Sequence, residues 1–125
     1  MKDELPIIQK TFDMLLWLIP KIDQFPRKQK YLLGERIERT ALDFMASLQK
    51  AKYYGSKKKG KLLEAHVIFE QFKTLVRLAV GLQLLPVQKY EYLSQFIVEI
   101  GKMLGGWMKN TDENLQKSVP AHRHV

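Results

Sequence analysis

The sequence predicts an all-α protein folded as an up-down-up-down antiparallel four-helix bundle. Apolar residues recur at intervals of three and four along four long segments, which is the spacing of one helix face. No segment alternates apolar and polar residues with period two, and no Asn-Gly or Asp-Gly hairpin turn occurs. Short connections containing proline or glycine separate the segments, and short connections between long amphipathic helices make neighbouring helices antiparallel.

The first two helices are predicted at residues 6–22 and 27–53. Pro6 suits the first turn of a helix, where a backbone N–H would have no partner. The predicted core stripes are Ile8, Phe12, Leu15, Ile19 and Ile22 in the first helix, and Leu33, Ile37, Ala41, Phe44, Leu48 and Ala51 in the second. A further apolar patch of the second helix lies roughly 90° round from its core stripe. The patch consists of Tyr31, Leu42 and Met45, and we expect another subunit to cover it.

The third and fourth helices are predicted at residues 62–84 and 87–109. The third is apolar nearly all round, so we expect it to be mostly buried. Its one narrow polar stripe consists of His66, Glu70, Lys73 and Arg77. The predicted core of the fourth helix consists of Leu93, Phe96, Ile97, Ile100, Leu104 and Trp107. The chain is then one domain, residues 1–110, followed by a loose polar tail, residues 111–125.

The composition argues against several classes of function. The 125 residues include no cysteine, which excludes a disulfide framework and a thiolate metal site. The sequence has no glycine-rich phosphate loop, no nucleophile elbow and no Glu-x-x-His pair of the di-iron bundles. We therefore expect no catalytic residue, no cofactor and no metal. The acidic start and the shortness of the apolar runs predict a cytoplasmic protein that makes no membrane contact.

The net charge of +8 is concentrated in one third of the chain. Residues 21–61 contain twelve Lys and Arg against four Asp and Glu, whereas the remaining residues contain nine of each. Charges are screened over about 8 Å at physiological salt, so local density counts for more than net charge. This concentration predicts a polyanionic partner such as RNA or DNA.

Three groups of cations are the candidate binding residues. Arg27, Lys28 and Lys30 open the second helix, where positive charge opposes the helix dipole. The second group lies in or beside the turn predicted at residues 55–60, next to Tyr53 and Tyr54, which either stack on bases or close the helix end. That group consists of Lys57, Lys58, Lys59 and Lys61. The third group is the pair Lys73 and Arg77, which are four residues apart on the third helix.

Three segments give the chain a family resemblance. They are FPRKQKY at residues 25–31, FKTLVRLAVGLQ at residues 72–83 and EIGKMLGGWMKN at residues 99–110. In this order and spacing the sequence resembles the accessory variability determinant (Avd) proteins of diversity-generating retroelements. It is also similar to the wider superfamily of four-helix proteins encoded by intervening sequences in large-subunit rRNA genes. The resemblance spans roughly residues 7–110.

The resemblance implies a function and an assembly. Avd proteins are four-helix bundles that form a homopentameric barrel, bind nucleic acid and the element's reverse transcriptase, and support mutagenic copying of template RNA into cDNA. By position, Arg27, Lys28, Lys73 and Arg77 match basic residues of that family. Two alternatives stay open: a stand-alone rRNA intervening-sequence protein with a ribosomal or RNA-binding role, and a purely structural oligomer.

Overall fold

The computed structural model describes residues 4–54 and 58–118, with side chains as far as Thr111. Within these residues all regular secondary structure is helical, and there is no strand. The chain forms four long helices, numbered α1 to α4. Three of them are single α-helices: α1 is Pro6–Ile22, α3 is Lys58–Gly81 and α4 is Val87–Ser118. Helix α2 covers residues 27–53 in three continuous parts, a short α-helical turn (Arg27–Gln29), a π-helical segment (Lys30–Gly34) and a long α-helix (Glu35–Tyr53). The predicted all-α four-helix bundle is confirmed.

Each helix packs on the next, and α4 closes the bundle against α1; α2 and α3 form the most extensive pair. The predicted bounds of α1 and α2 are confirmed. Helix α3 begins four residues before its predicted start and ends three before its predicted end. Helix α4 runs to Ser118, so the predicted end at residue 109 is too early. Residues 119–125 lie outside the described part of the chain.

The core is built from one face of each helix. All six predicted core residues of α2 are buried, and Phe44 stacks on Phe69 of α3 with ring centroids 4.9 Å apart. In α1 the buried face also includes Ile7, Met14 and Leu18, whereas Phe12 and Ile19 are only half-buried. In α4 three of the predicted core residues are buried, Leu93, Ile100 and Leu104. Phe96, Ile97 and Trp107 are half-buried at the edge of the core.

The π-helical segment sits where α2 passes closest to the end of α1. A Cβ atom placed on Gly34 would lie 2.8 Å from Ile22 Cγ2, and Ile22 is buried. Only glycine therefore fits at this point without moving the core. Wide turns of this kind are uncommon and frequently occur at functional sites, and this one directly follows Arg27 and Lys28.

Candidate nucleic-acid interface

The predicted cations of the first two groups lie at opposite ends of the bundle. Arg27, Lys28 and Lys30 begin α2, whereas Lys58, Lys59 and Lys61 begin α3. The 27 residues of α2 separate the two groups, which is about 40 Å at a rise of ~1.5 Å per residue. The structure therefore provides two basic ends in place of one patch, and a single strand touching both would have to follow the length of the bundle.

The first basic end surrounds the connection between α1 and α2. Arg27 and Lys28 are exposed, and among the described residues neither lies within ion-pair distance of a carboxylate. Lys30 is bound to Asp23 at 3.3 Å, which offsets part of its charge. The first turn of α2 contains no acidic residue, so no charge within that turn compensates Arg27 and Lys28 at the positive end of the helix dipole. Such an arrangement costs local stability and favours an external anion.

The second basic end corrects the prediction of a lysine-rich loop. Lys58, Lys59 and Lys61 are not in a turn, because α3 begins at Lys58. Lys57 lies outside the described residues. The first turn of α3 also has no acidic residue, and Lys61 reaches Glu64 only at 3.7 Å. In both α2 and α3, the cations at the N-terminus therefore interact unfavourably with the helix dipole.

Aromatic rings accompany the lysines at this second end. The ammonium nitrogen of Lys58 lies 5.8 Å from the centroid of the Trp107 ring. The ammonium of Lys61 lies 4.8 Å from the Tyr54 ring, and that of Lys52 lies 5.7 Å from the Tyr53 ring, which is 80% exposed. Lysines over rings are attracted to the negative faces of the π-systems. Sites that bind single-stranded nucleic acid combine cations, which contact the phosphates, with aromatic faces, on which the bases stack.

An open cleft of about 550 Å³ lies among these groups, and we call it the end cleft. All four helices contribute to its walls, which include Pro6, Lys52, Lys58, Met103, Gly106 and Trp107. Trp107 therefore lines a surface cleft, and its predicted place in the core is only half right. Lys52 in this wall also binds Glu4, with 2.9 Å between the ammonium nitrogen and a carboxylate oxygen. This hydrogen bond lowers the pKa of Glu4 and raises the pKa of Lys52.

The predicted pair on α3 has unequal members. Lys73 is half-buried, binds Glu70 at 2.8 Å and lies 5.3 Å from the Phe69 ring centroid. The hydrogen bond from Lys73 holds the pKa of Glu70 below its usual value. Arg77 is exposed, and no carboxylate of the described chain lies within ion-pair distance of it. Arg77 is therefore the better placed of the two to meet a phosphate.

Arg36 and Arg39 were not among the binding residues predicted from the sequence. Both are exposed on α2 and line a shallow cleft of about 460 Å³ between α2 and α3, together with Leu78 and Leu82. The sequence does indicate that the two arginines are neighbours on the helix surface, since they lie three apart and fall between the core positions of α2. They add positive charge to the side of the bundle that connects the two basic ends.

Two apolar surfaces are also left uncovered. Leu42 and Met45 line a cleft of about 340 Å³ between α1 and α2, whose other walls include Leu16. Tyr31 is 57% exposed and lies outside this cleft. The second surface is the outward face of α3, where the prediction of burial is wrong for this single chain. Its exposed apolar residues are Leu63, Val67 and Leu78, and Leu82, which follows the helix directly, is exposed as well.

Neither metal ligands nor membrane spans stand out in the described part of the chain. No group of three or more His, Asp or Glu side chains there is placed to hold a metal ion. None of the helices described is both long enough and apolar enough to cross a bilayer.

The fold and the site together define a small basic helical bundle that presents charged and apolar surfaces to partners. The chain belongs to the bAvd-like family, which matches residues 5–111 and confirms the resemblance seen in the sequence. This is a family of accessory, non-catalytic proteins. No curated protein matches the chain significantly.

Proposed function

We propose that the protein is a cytoplasmic accessory factor of a diversity-generating retroelement that binds nucleic acid and the element's reverse transcriptase. In this role it supports mutagenic synthesis of cDNA from template RNA. The observation that carries the proposal is the pair of basic ends, in which two helices begin with exposed cations and no acidic residue in the first turn. Family membership supplies the retroelement context.

Binding of this kind is directed at phosphates and has little sequence preference. Lysine and arginine contacts to phosphates position a nucleic acid without reading its bases. Each neutralised phosphate also releases counterions, so affinity falls with salt at a log–log slope of about −0.7 per contact on a single strand. A protein that uses both ends would show a steeper slope than a protein that uses one.

A filter-binding titration at two salt concentrations tests the proposal. The two variants to compare are Arg27→Ala with Lys28→Ala, and Lys58→Ala with Lys59→Ala. Lysines in a loop would contribute less to affinity, because a loop loses more entropy on ordering than a helix-borne side chain. Since Lys58 and Lys59 are helical, we now expect both variants to lose affinity and salt slope to a similar degree.

The matched control is Lys102→Ala, which removes an exposed charge from the middle of α4. It should leave affinity within about twofold, because a solvated charge away from a contact contributes little. If neither double variant binds more weakly than the parent, nucleic-acid binding by the basic ends is refuted. Co-purification of the reverse transcriptase with the parent chain and with both variants tests the protein partner separately.

We further propose that the protein assembles as a homopentamer. A cyclic pentamer uses head-to-tail contacts, in which each subunit offers two different surfaces. The bundle has two such surfaces, the α1–α2 cleft with Leu42 and Met45, and the outward face of α3 with Val67 and Leu78. The two surfaces lie on different sides of the bundle, so one subunit can use both at once.

Light scattering on glutamate variants tests the assembly. Leu42→Glu with Met45→Glu, and Val67→Glu with Leu78→Glu, should each reduce the mass to that of the 14.7 kDa chain without loss of helix content. Val98→Glu, at a residue of α4 that is also about half exposed, is the control and should leave the mass unchanged. A parent protein that is monomeric at micromolar concentration would rule out the pentamer.

A further inference from the structure

The end cleft combines an aromatic wall with a cation that has no carboxylate partner in the described part of the chain. Lys58 contacts the ring of Trp107, and among the described residues no carboxylate lies within ion-pair distance of its ammonium group. The other walls are mainly apolar, with Met103 and Pro6 beside the ring. At about 550 Å³ the cleft falls within the range of small-ligand sites, roughly 300–1,000 Å³.

Gly106 lines the end cleft and, its chain neighbours aside, leaves open space there. A Cβ atom placed on Gly106 would meet no atom within 4 Å, so the packing of the single chain does not require glycine here. Glycine inside a helix lowers stability relative to alanine, because it gains backbone freedom in the unfolded chain. The missing side chain leaves room in the cleft whose wall also includes Trp107.

Charge complementarity indicates what that group is. Glu4 offsets the charge of Lys52 in the cleft wall, but Lys58 has no carboxylate within ion-pair distance among the described residues, so an occupant with an anionic part is favoured at Lys58. An aromatic wall favours a planar part on the same occupant. A nucleotide has both, a flat base and an attached phosphate.

We propose that the end cleft holds one unpaired nucleotide of a single-stranded nucleic acid, with its base against Trp107 and its phosphate near Lys58. This inference rests on the proposed nucleic-acid function and specifies its substrate as single-stranded. A base within a duplex is already stacked on both faces, whereas an unpaired base can leave its neighbours and stack on a protein ring. Tyr53 and Tyr54, beside the cleft, offer further ring faces to the adjoining nucleotides.

A second cleft with a lysine and aromatic rings does not fit this role. It lies between α1 and α4, measures about 180 Å³ and is lined by Lys10, Tyr92 and Phe96. Its only cation, Lys10, binds Glu99 at 2.6 Å, and this bond raises the pKa of Lys10. The carboxylate of Glu99 would repel a phosphate there.

Equilibrium binding to a single-stranded and a duplex oligonucleotide of equal length is the test. Gly106→Leu adds a side chain to the wall of the end cleft, and Trp107→Leu removes the ring. Each should lower single-strand affinity about tenfold or more, the range of one lost stacking contact, and leave duplex affinity within about twofold. The matched controls are Gly105→Leu, which also meets open space but does not line the cleft, and Trp17→Leu, at a residue of α1 that packs on Tyr92 outside the cleft.

The salt dependence separates stacking from charge. Trp107→Leu should leave the log–log slope unchanged because it removes no phosphate contact, whereas Lys58→Gln should reduce the slope by about 0.7. In a Trp17→Phe background, Trp107 is the one remaining tryptophan, and single strands should quench its fluorescence while duplex should not.

Each other result has a definite meaning. The inference is overturned if Gly106→Leu binds single strands as tightly as the parent, or if binding leaves Trp107 fluorescence unchanged. It is also overturned if Trp107 fluorescence changes with protein concentration alone, because a second copy of the chain then fills the cleft. If the parent binds neither strand form, the proposed nucleic-acid function itself fails.

Discussion

Helices α2 and α3 form the most extensive helix pair of the bundle, yet their apolar residues have different fates. In α2 the predicted core stripe, including Ile37 and Phe44, is fully buried. In α3 the inward residues such as Phe72 are buried, but Val67 and Leu78 on the outward side are each 49% exposed. Periodicity identifies the helix in both cases, but it identifies the core only where the apolar stripe is narrow.

The difference shows that α3 is a helix with two partners. One apolar face of α3 is buried within the chain. The other is exposed to water, which is unfavourable in free energy unless another surface covers it. Three paired changes, one in α2 and one in α3 each time, test this difference between the two helices.

The largest effect is expected from Phe44→Ala in α2. Phe44 is fully buried and stacks on Phe69, so its loss should lower the free energy of unfolding by about 3–5 kcal/mol. Leu78→Ala in α3 should cost about 0.5 kcal/mol or less in the monomer. Urea unfolding followed by circular dichroism at fixed protein concentration measures both. A Leu78→Ala cost that grows with protein concentration would show that assembly buries this face.

An intermediate effect is expected from glycine replacement. Gly34→Ala in α2 places a Cβ atom 2.8 Å from Ile22 Cγ2 and should destabilise the fold by about 1–3 kcal/mol. Gly60→Ala in α3 meets open space and should stabilise it by about 0.4–1 kcal/mol. Thermal unfolding of both variants checks the opposite signs. A stable Gly34→Ala protein would mean that the end of α1 can move away from α2.

The smallest effect is expected from two glutamates with opposite pKa shifts. Burial, followed by the nearby Asp23, raises the pKa of Glu38 in α2, so its charge opposes folding at neutral pH. This cost is absent below the unfolded pKa and complete above the folded one. Glu38→Gln should therefore gain stability relative to the parent as pH rises through that interval.

Glu70 in α3 behaves in the opposite way. Its pKa is lowered by Lys73, so its contribution is present above the unfolded pKa and is lost as pH falls through the folded pKa. Glu70→Gln should cost only about 0.2–1 kcal/mol at neutral pH, because the pair is solvent-exposed. Stability curves between pH 3 and 7, a window of about four units around the ordinary carboxyl pKa, measure both variants. Parallel curves for the two variants would contradict these assignments.

The sequence was sufficient for the helices and for the core of α2, because both depend on local spacing. It was insufficient for the start of α3, since glycines and lysines around residues 55–60 are typical of a turn, whereas packing of Leu62 and Ala65 extends the helix back to Lys58. It grouped cations that the fold separates by the length of a helix. It also could not place Trp107 beside Lys58, because that contact joins residues far apart in the chain.

The π-helical segment Lys30–Gly34 amounts to a one-residue insertion in a helical rod. Each residue of an α-helix advances about 100° round the axis, so one extra residue rotates everything before it by that angle relative to everything after it. The direction in which Arg27 and Lys28 point therefore depends on how many residues the π-helical segment contains, and not only on which residues they are. Loss of a single codon here would re-aim the first basic end around the bundle while every charge and the buried stripe of Glu35–Tyr53 stayed the same. Length variation at this segment is a simpler evolutionary route to a new partner than any exchange of side chains.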